Sequence, residues 1–314
     1  MMGNFKDNQK LDVQQMINDK KSKQNNLQMI EKIVPVFLFL CAALSILTTV
    51  GILFTLLRES ITFFGEKGFF SFIAGTNWNP WAGDFGVLPL ITGTLQITVI
   101  SIVVALPIGL ASAIFLSEYA SDKVRRTIKP TLEVLAGVPT VVYGYFAVSF
   151  VTPILRSIFP EIGIFNALSA GLVVGVMIVP MIASLSEDAM NSVPTSLREG
   201  ALALGCTRLE VALKVVVPAA FSGIVAATVL AISRAIGETM IVTIAAGASP
   251  NLTFDPLVSI QTLTAFIVQG VKGDTTFGSM IYYSVYAVGL TLFVFTLAMN
   301  LLSQYIARKF REEY

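Results

Sequence analysis

Long apolar runs separated by short polar segments set the plan of this 314-residue chain. Residues 33–57 form 25 consecutive positions without a charge before Arg58. As a helix that run is about 37 Å long, enough to cross a hydrocarbon core of roughly 30 Å with some tilt. Five further apolar stretches lie at about 88–117, 131–155, 163–186, 219–247 and 280–306. These runs are too long for barrel strands and do not alternate in polarity. The pattern predicts an all-α polytopic membrane protein with six transmembrane helices. Its predicted divisions are a polar tail at 1–32, the first span at 33–57, a loop at 58–87, a core at 88–306 holding a polar loop at 187–218, and a tail at 307–314.

Composition agrees with this plan. Hydrophobic residues make up 54% of the chain and charged residues 13%, about half the charge of a soluble domain. The apolar content excludes disorder. The absence of histidine excludes a Ser-His-Asp triad, His-ligated zinc and a His proton relay. Cys41 and Cys206 are too few and too far apart for a disulfide framework or a Cys-rich metal site.

The net charge of +1 becomes informative once it is mapped. Six spans put both termini on one side. Sixteen Lys and Arg residues fall on that side, in the tails and the 118–130 and 187–218 loops. Four fall on the other side, and Arg234 lies inside a span. This asymmetry places both termini in the cytoplasm and makes 58–87 an external loop. Gly171 and Gly175, four apart, read as a helix-packing pair. Pro107, Pro139 and Pro180 are kinks that a membrane helix tolerates, or hinges.

The 187–218 loop spells two short helices. Ser196 with Glu199, and Thr207 with Glu210, have capping-box spacing. Leu197, Ala201 and Leu204 share one face of the first helix, which Gly205 ends. Leu209, Leu213 and Val216 stripe the second, and Pro218 opens the fifth span. Such a loop either packs on its own bundle or docks in a partner's groove.

Arg234 near the centre of the fifth span costs roughly 2.5–3.5 kcal/mol to insert. Glu238, four residues on, is predicted to share its helical face. The two are either a self-neutralised structural pair or an anion site. A guanidinium suits an oxyanion because its planar fork donates two charge-assisted hydrogen bonds and keeps its charge when desolvated. Ser233, Thr239 and Thr243 are further candidate donors. Glu133, one turn after Lys129, reads as its snorkelling partner at the cytoplasmic edge. No Gly-x-x-x-x-Gly-Lys-Ser/Thr phosphate loop is present.

Glu199-Gly200-Ala201, then Gly205, then Val215, Val217 and Pro218, resemble in spacing the EAA motif of ABC importer permeases. Arg234-Ala-Ile-Gly-Glu-Thr-Met240 resembles the fifth-span signature of the phosphate-specific permeases. So do Leu88-Pro-Leu-Ile-Thr-Gly-Thr94, Pro107-Ile-Gly109, Ser117-Glu-Tyr-Ala120, Leu135-Ala-Gly-Val-Pro139 and Val142-Tyr-Gly144. Gln261-Thr-Leu-Thr-Ala-Phe266 resembles the PstC branch rather than the PstA branch.

The resemblance implies a permease subunit of an ATP-driven phosphate importer in the bacterial cytoplasmic (inner) membrane, working by alternating access. It implies pairing with a PstA-like permease, two ATPase subunits, an external phosphate-binding protein and membrane lipid, and no nucleic acid. Glu199, Gly200, Ala201, Gly205 and Pro218 would couple to the ATPase. ATP and Mg would be bound there and not by this chain, which would be no enzyme. Arg234, Glu238 and Thr239 would line the substrate pathway. Two alternatives stay open on the residues alone: a permease for another oxyanion, and an ATPase-independent anion transporter or channel. A membrane-embedded enzyme is disfavoured, because Arg234 and Glu238 lack a nucleophile and its base.

Overall fold

The computed structural model describes residues 3–273 and 275–309. The predicted tail at 307–314 lies outside the described residues beyond Lys309, and the side chains of the predicted tail at 1–32 lie outside them as well. The chain divides into two units, Met1–Leu56 and Leu57–Tyr314. Helix α1, Gly3–Lys67, supplies the first unit, where side chains from Val34 onward are mostly exposed. Its helical pattern continues past Leu57, so ten residues of the predicted external loop are helical.

The second unit contains the remaining elements. Helix α2 is Phe69–Ala74, and strands β1 (Trp78–Asn79) and β2 (Asp84–Phe85) make an antiparallel hairpin. Helix α3, Leu88–Ile114, runs on into a π turn at Phe115–Tyr119. Then come α4 (Asp122–Ala136), α5 (Thr140–Phe146), α6 (Thr152–Ile158) and α7 (Ala167–Asn191). The 187–218 loop carries α8 (Thr195–Ala203), α9 (Arg208–Val211) and α10 (Val217–Ala219). Helices α11 (Phe221–Ile236), α12 (Met240–Ala245), α13 (Leu263–Lys272) and α14 (Met280–Lys309) complete the unit.

Among the described residues, five helical stretches are long and apolar enough to cross a membrane: Val34–Lys67, Leu88–Tyr119, Thr140–Ile158, Ala167–Asn191 and Met280–Leu302. A sixth crossing exists if Arg208–Ala219 and Phe221–Ile236, bent by 73°, count as one span. The protein is thus an all-α polytopic membrane protein. Two of the predicted spans are divided. The stretch at 131–155 breaks at Gly137–Pro139 into the polar-faced α4 and the crossing helix that begins at Thr140. Pro139 lacks an N–H and biases the preceding residue away from helical geometry, so the helix stops there. The stretch at 219–247 breaks at Gly237–Thr239.

Two π turns solve a proline problem. Thr152 N–H bonds to Ala147 O, and Val217 N–H bonds to Ala212 O, each five residues back. Pro153 and Pro218 follow immediately. A proline ring clashes with the carbonyl four residues earlier, and the wider turn makes room for it.

Three buried clusters hold the unit together. The central one joins α3, α5, α7, α11 and α12 through Ile97, Met177, Ile178, Ile182, Ala231 and Ile241. Close approach of α3 and α7 depends on missing side chains. A Cβ on Gly171 would sit 2.7 Å from Ile100, and one on Gly175 would sit 3.0 Å from Ser101 O. The helix-packing reading of this glycine pair therefore holds. One end of the unit is an aromatic cluster of Phe63, Phe72, Trp78, Phe85 and Phe266 under the hairpin. The other end packs Ala113, Met190, Val193, Ala201, Val211 and Val216 beneath the 187–218 loop.

Candidate functional site

Arg234 and Glu238 are not the helical pair that their spacing predicts. Helix α11 ends at Ile236, and Gly237 breaks the periodicity that an i, i+4 contact needs. Glu238 is only 8% exposed. Its Oε1 accepts the N–H groups of Met240 (3.0 Å) and Ile241 (3.1 Å), the start of α12. Two unsatisfied helix donors thus offset part of the cost of a buried carboxylate. The backbone carbonyl of Glu238 accepts the Thr264 hydroxyl at 2.7 Å, which ties the break to α13.

Arg234 is left half-buried on the last turn of α11. Among the described residues no hydrogen bond or ion pair holds its guanidinium. Next to it, Ser233 Oγ donates to Asn300 Oδ1 at 2.6 Å, joining α11 to α14. The Thr239 and Thr243 hydroxyls turn inward on their own backbone, to Gly237 O and Thr239 O. They are spoken for as local bonds, so of the predicted donors Arg234 alone has its full donor set to offer.

The 187–218 loop folds as two short helices with some predicted details changed. Thr207 and Glu210 make the predicted capping box: the Glu210 N–H donates to Thr207 Oγ1, and Glu210 Oε2 accepts the Thr207 N–H at 3.0 Å. These bonds, the backbone one foremost, together with Lys214 hold the Glu210 carboxyl down to about 2. The Ser196–Glu199 box is not made, because α8 already starts at Thr195 behind Pro194. Gly205 ends α8 at φ 88°, where a Cβ is strained. The Cys206 N–H reaches Ala201 O and the Gly205 N–H reaches Leu202 O, the paired bonds of a Schellman ending.

The apolar faces also differ from the predicted ones. Ala201, Val211, Ala212 and Val216 point into the bundle. Leu204 is 87% exposed, and Leu202, Leu209 and Leu213 are exposed too, alongside Glu199. Helix α9 starts one turn past the glycine, which rotates the Leu209–Leu213 edge outward and the valines inward. Gly200 is exposed with open space around it, and Pro218 follows the π turn.

A buried polar cluster lies between this loop and the bundle. Glu187, fully buried near the end of α7, pairs with Arg125 and with Lys129 (2.8 Å) of α4 and accepts Asn191 Nδ2 at 2.6 Å. Lys129 also reaches Asp188 at 2.5 Å. Partial burial opposes its charge, but the carboxylates of Asp188 and Glu187 outweigh that and raise its ammonium above the usual lysine range. Lys129 therefore pairs across to α7 and not along its own helix with Glu133. Arg198 of α8 donates to Glu118 Oε1 (3.2 Å), Val193 O (2.8 Å) and Met190 O (2.6 Å). A cavity of about 340 Å³ beneath the loop is lined by Glu118, Asn191, Arg198 and Arg208. The sequence pattern pairs Lys129 with Glu133 and gives Arg125 and Arg198 no partner, so this cluster is not legible from spacing. The available signal was a carboxylate, Glu187, closing an otherwise apolar span.

Among the described residues, no group of three or more His, Cys, Asp or Glu residues is placed to hold a metal ion.

Such a bundle of apolar crossings, with a charged residue beside the break between α11 and α12 and a capped two-helix loop at one end, is that of a polytopic membrane protein. The chain belongs to the family of binding-protein-dependent transport system inner membrane components, whose pattern matches residues 105–312. It is 36% identical over 293 residues to the probable ABC transporter permease protein YqgH of Bacillus subtilis, covering 92% of this chain and 94% of that one. It is 34% identical to the phosphate transport system permease protein PstC of Mesorhizobium japonicum, over 76% of this chain and 78% of the relative. The PstC protein of Haemophilus influenzae is 33% identical over 81% and 84% of the two chains.

Two solved structures share the fold. A bacterial alginate ABC transporter, in complex with an alginate pentasaccharide-bound periplasmic protein, matches at TM-score 0.61 and 16% identity, over 87% of this chain and 96% of that one. The MetNI methionine ABC transporter in an inward-facing conformation matches at TM-score 0.57 and 18% identity, over 75% and 100%. The protein is accordingly a multi-pass inner-membrane transport subunit of the ABC importer class.

Proposed function

We propose that this chain is one permease half of an ATP-driven importer of inorganic phosphate. It forms the pathway with a PstA-like permease, docks two ATPase subunits and receives phosphate from an external binding protein. Both termini face the cytoplasm, as the cation asymmetry of the loops argues. The observation that carries the anion role is Arg234. It is a half-buried guanidinium on the last turn of the apolar α11, beside the break before α12, with no hydrogen bond or ion pair among the described residues. A permanent cation there attracts an oxyanion and offers it a bidentate fork. Glu238 is occupied with the N-terminus of α12 and leaves that fork open. The similarity to PstC proteins supports phosphate as the oxyanion.

The ATPase docks on the exposed Glu199, Leu202, Leu204, Leu209 and Leu213 surface of the 187–218 loop. Gly200 and Gly205 keep that surface low, Ala201 anchors it to the bundle, and Pro218 fixes the corner into α11. ATP binding moves the loop, the bundle opens outward, and phosphate passes by Arg234. Hydrolysis then resets the bundle inward. ATP and Mg are held by the ATPase subunits.

The test is ATP-dependent phosphate uptake by the reconstituted complex, with sulfate as competitor. Phosphate uptake that sulfate does not suppress is expected. Arg234→Gln should abolish uptake while assembly and ATP binding persist. Undiminished uptake by the assembled Arg234→Gln complex would sink the anion role. Uptake without ATPase subunits under an ion gradient would sink the ABC mechanism, and preferred sulfate uptake would reassign the substrate.

A further inference from the structure

The polar cluster under the 187–218 loop has a continuous shape that packing alone does not require. From α8, Arg198 grips Glu118 at the end of the α3 rod and two carbonyls at the end of α7. Ser117 bridges Glu118 (2.9 Å) to Asn191 (3.3 Å), and Asn191 donates to Glu187. Glu187 in turn binds both cations of α4. At the far end of α4, Leu135 O accepts the Tyr143 hydroxyl at 2.8 Å from α5. Hydrogen bonds and short helices thus connect the docking loop to α5, whose Gly144 lies against Ile241 and Ile244 of α12, just past the break that follows Arg234.

We propose that Glu187 is a positioning residue for coupling, through which movement of α8 is passed to α4 and thence to Tyr143 and Arg234. This rests on the reading of the 187–218 loop as the ATPase docking loop. The physical case is the placement of charge. A fully buried carboxylate is tolerated because Arg125, Lys129 and Asn191 all satisfy it. When α8 shifts, Arg198 carries the ends of α3 and α7 with it. Because Glu187 cannot leave its cations without a large desolvation cost, α4 must follow α7. Apolar contacts at this end are few on α4, which buries no side chain, so the ion pairs are its tie to the bundle.

The experiment uses the complete complex in liposomes, measuring phosphate uptake and ATP hydrolysis on the same sample. Glu187→Gln is expected to hydrolyse ATP near the wild-type rate. Phosphate moved per ATP should fall between about twofold and thirtyfold, the range seen for residues along coupling networks. Lys129→Gln leaves Arg125 on Glu187 and should give a smaller fall in the same ratio, and it decides the matter if the Glu187→Gln complex does not assemble. An unchanged ratio in the assembled variant overturns the proposal. In the pair Glu187→Gln with Arg198→Gln, the ratio should fall no further than in the worse single variant, and multiplying effects would overturn it. Uptake by wild-type complex without ATP would instead defeat the importer reading itself, which is a separate failure.

Discussion

The two ends of the bundle are held by different physics. At the hairpin end, Phe63, Phe72, Trp78, Phe85 and Phe266 pack edge to face, with the Trp78 and Phe266 rings 4.7 Å apart. At the loop end, ion pairs and caps dominate: Glu187 with Arg125 and Lys129, Glu118 with Arg198, and the Thr207–Glu210 box. Aromatic packing is dense and resists deformation, so it suits a scaffold. Charged hydrogen bonds are directional and have discrete arrangements, so they suit an end that must move and return. Under the proposed coupling, the difference gives the hairpin end a static role and the loop end a transmitting one.

The largest expected effect would break the static half of the comparison. Trp78→Ala removes a 3%-exposed ring from the aromatic cluster and should cost about 3–5 kcal/mol. The unfolding midpoint in detergent reads this, while ATPase binding at the other end should survive. Trp78→Phe should cost far less, because the buried Trp78 Nε1–H has no partner among the described residues and its loss relieves an unsatisfied donor.

A smaller effect tests the transmitting half. Gly205→Ala forces a Cβ into φ 88° and should destabilise the loop by about 1–2 kcal/mol. Faster hydrogen exchange at the Gly205 and Cys206 amides should report it, with the global unfolding midpoint nearly unchanged. Equal loss at both ends would erase the distinction.

The smallest effect is pH dependence of the cap. The Glu210 carboxyl is lowered from its ordinary 4.5 to about 2. Its support for the cap is therefore complete above the ordinary value and is lost as pH falls toward about 2. Exchange protection of the Glu210 amide should be flat from pH 5 to 8 in the wild type. It should decline only in acid, and Glu210→Gln should remove that decline.

Several features were legible from local pattern. The apolar runs marked the crossings, the EAA spacing marked the loop, and Gly205 and Thr207–Glu210 marked its turn and second cap. Gly171 and Gly175 marked a close helix contact. What escaped was of two kinds. One was a local competition the spacing rule ignores: Gly237 ends α11, so Glu238 caps α12 and never meets Arg234. The other was partnership across long separations. Lys129 chooses Glu187 and Asp188, 58 and 59 residues on, over its neighbour Glu133.

Sequence by itself determined the class of this protein and the plan of its helices, because hydrophobic length and short-range capping are properties of a segment and its solvent. It also singled out Arg234, since a charge within an apolar run is costly wherever the helices pack. Tertiary structure alone decided which carboxylate each cation meets and which leucines of the loop face outward. It also decided that the arginine keeps an open fork. Those outcomes depend on distances between segments far apart in the chain, where a few ångströms and the loss of water decide whether two charges pair.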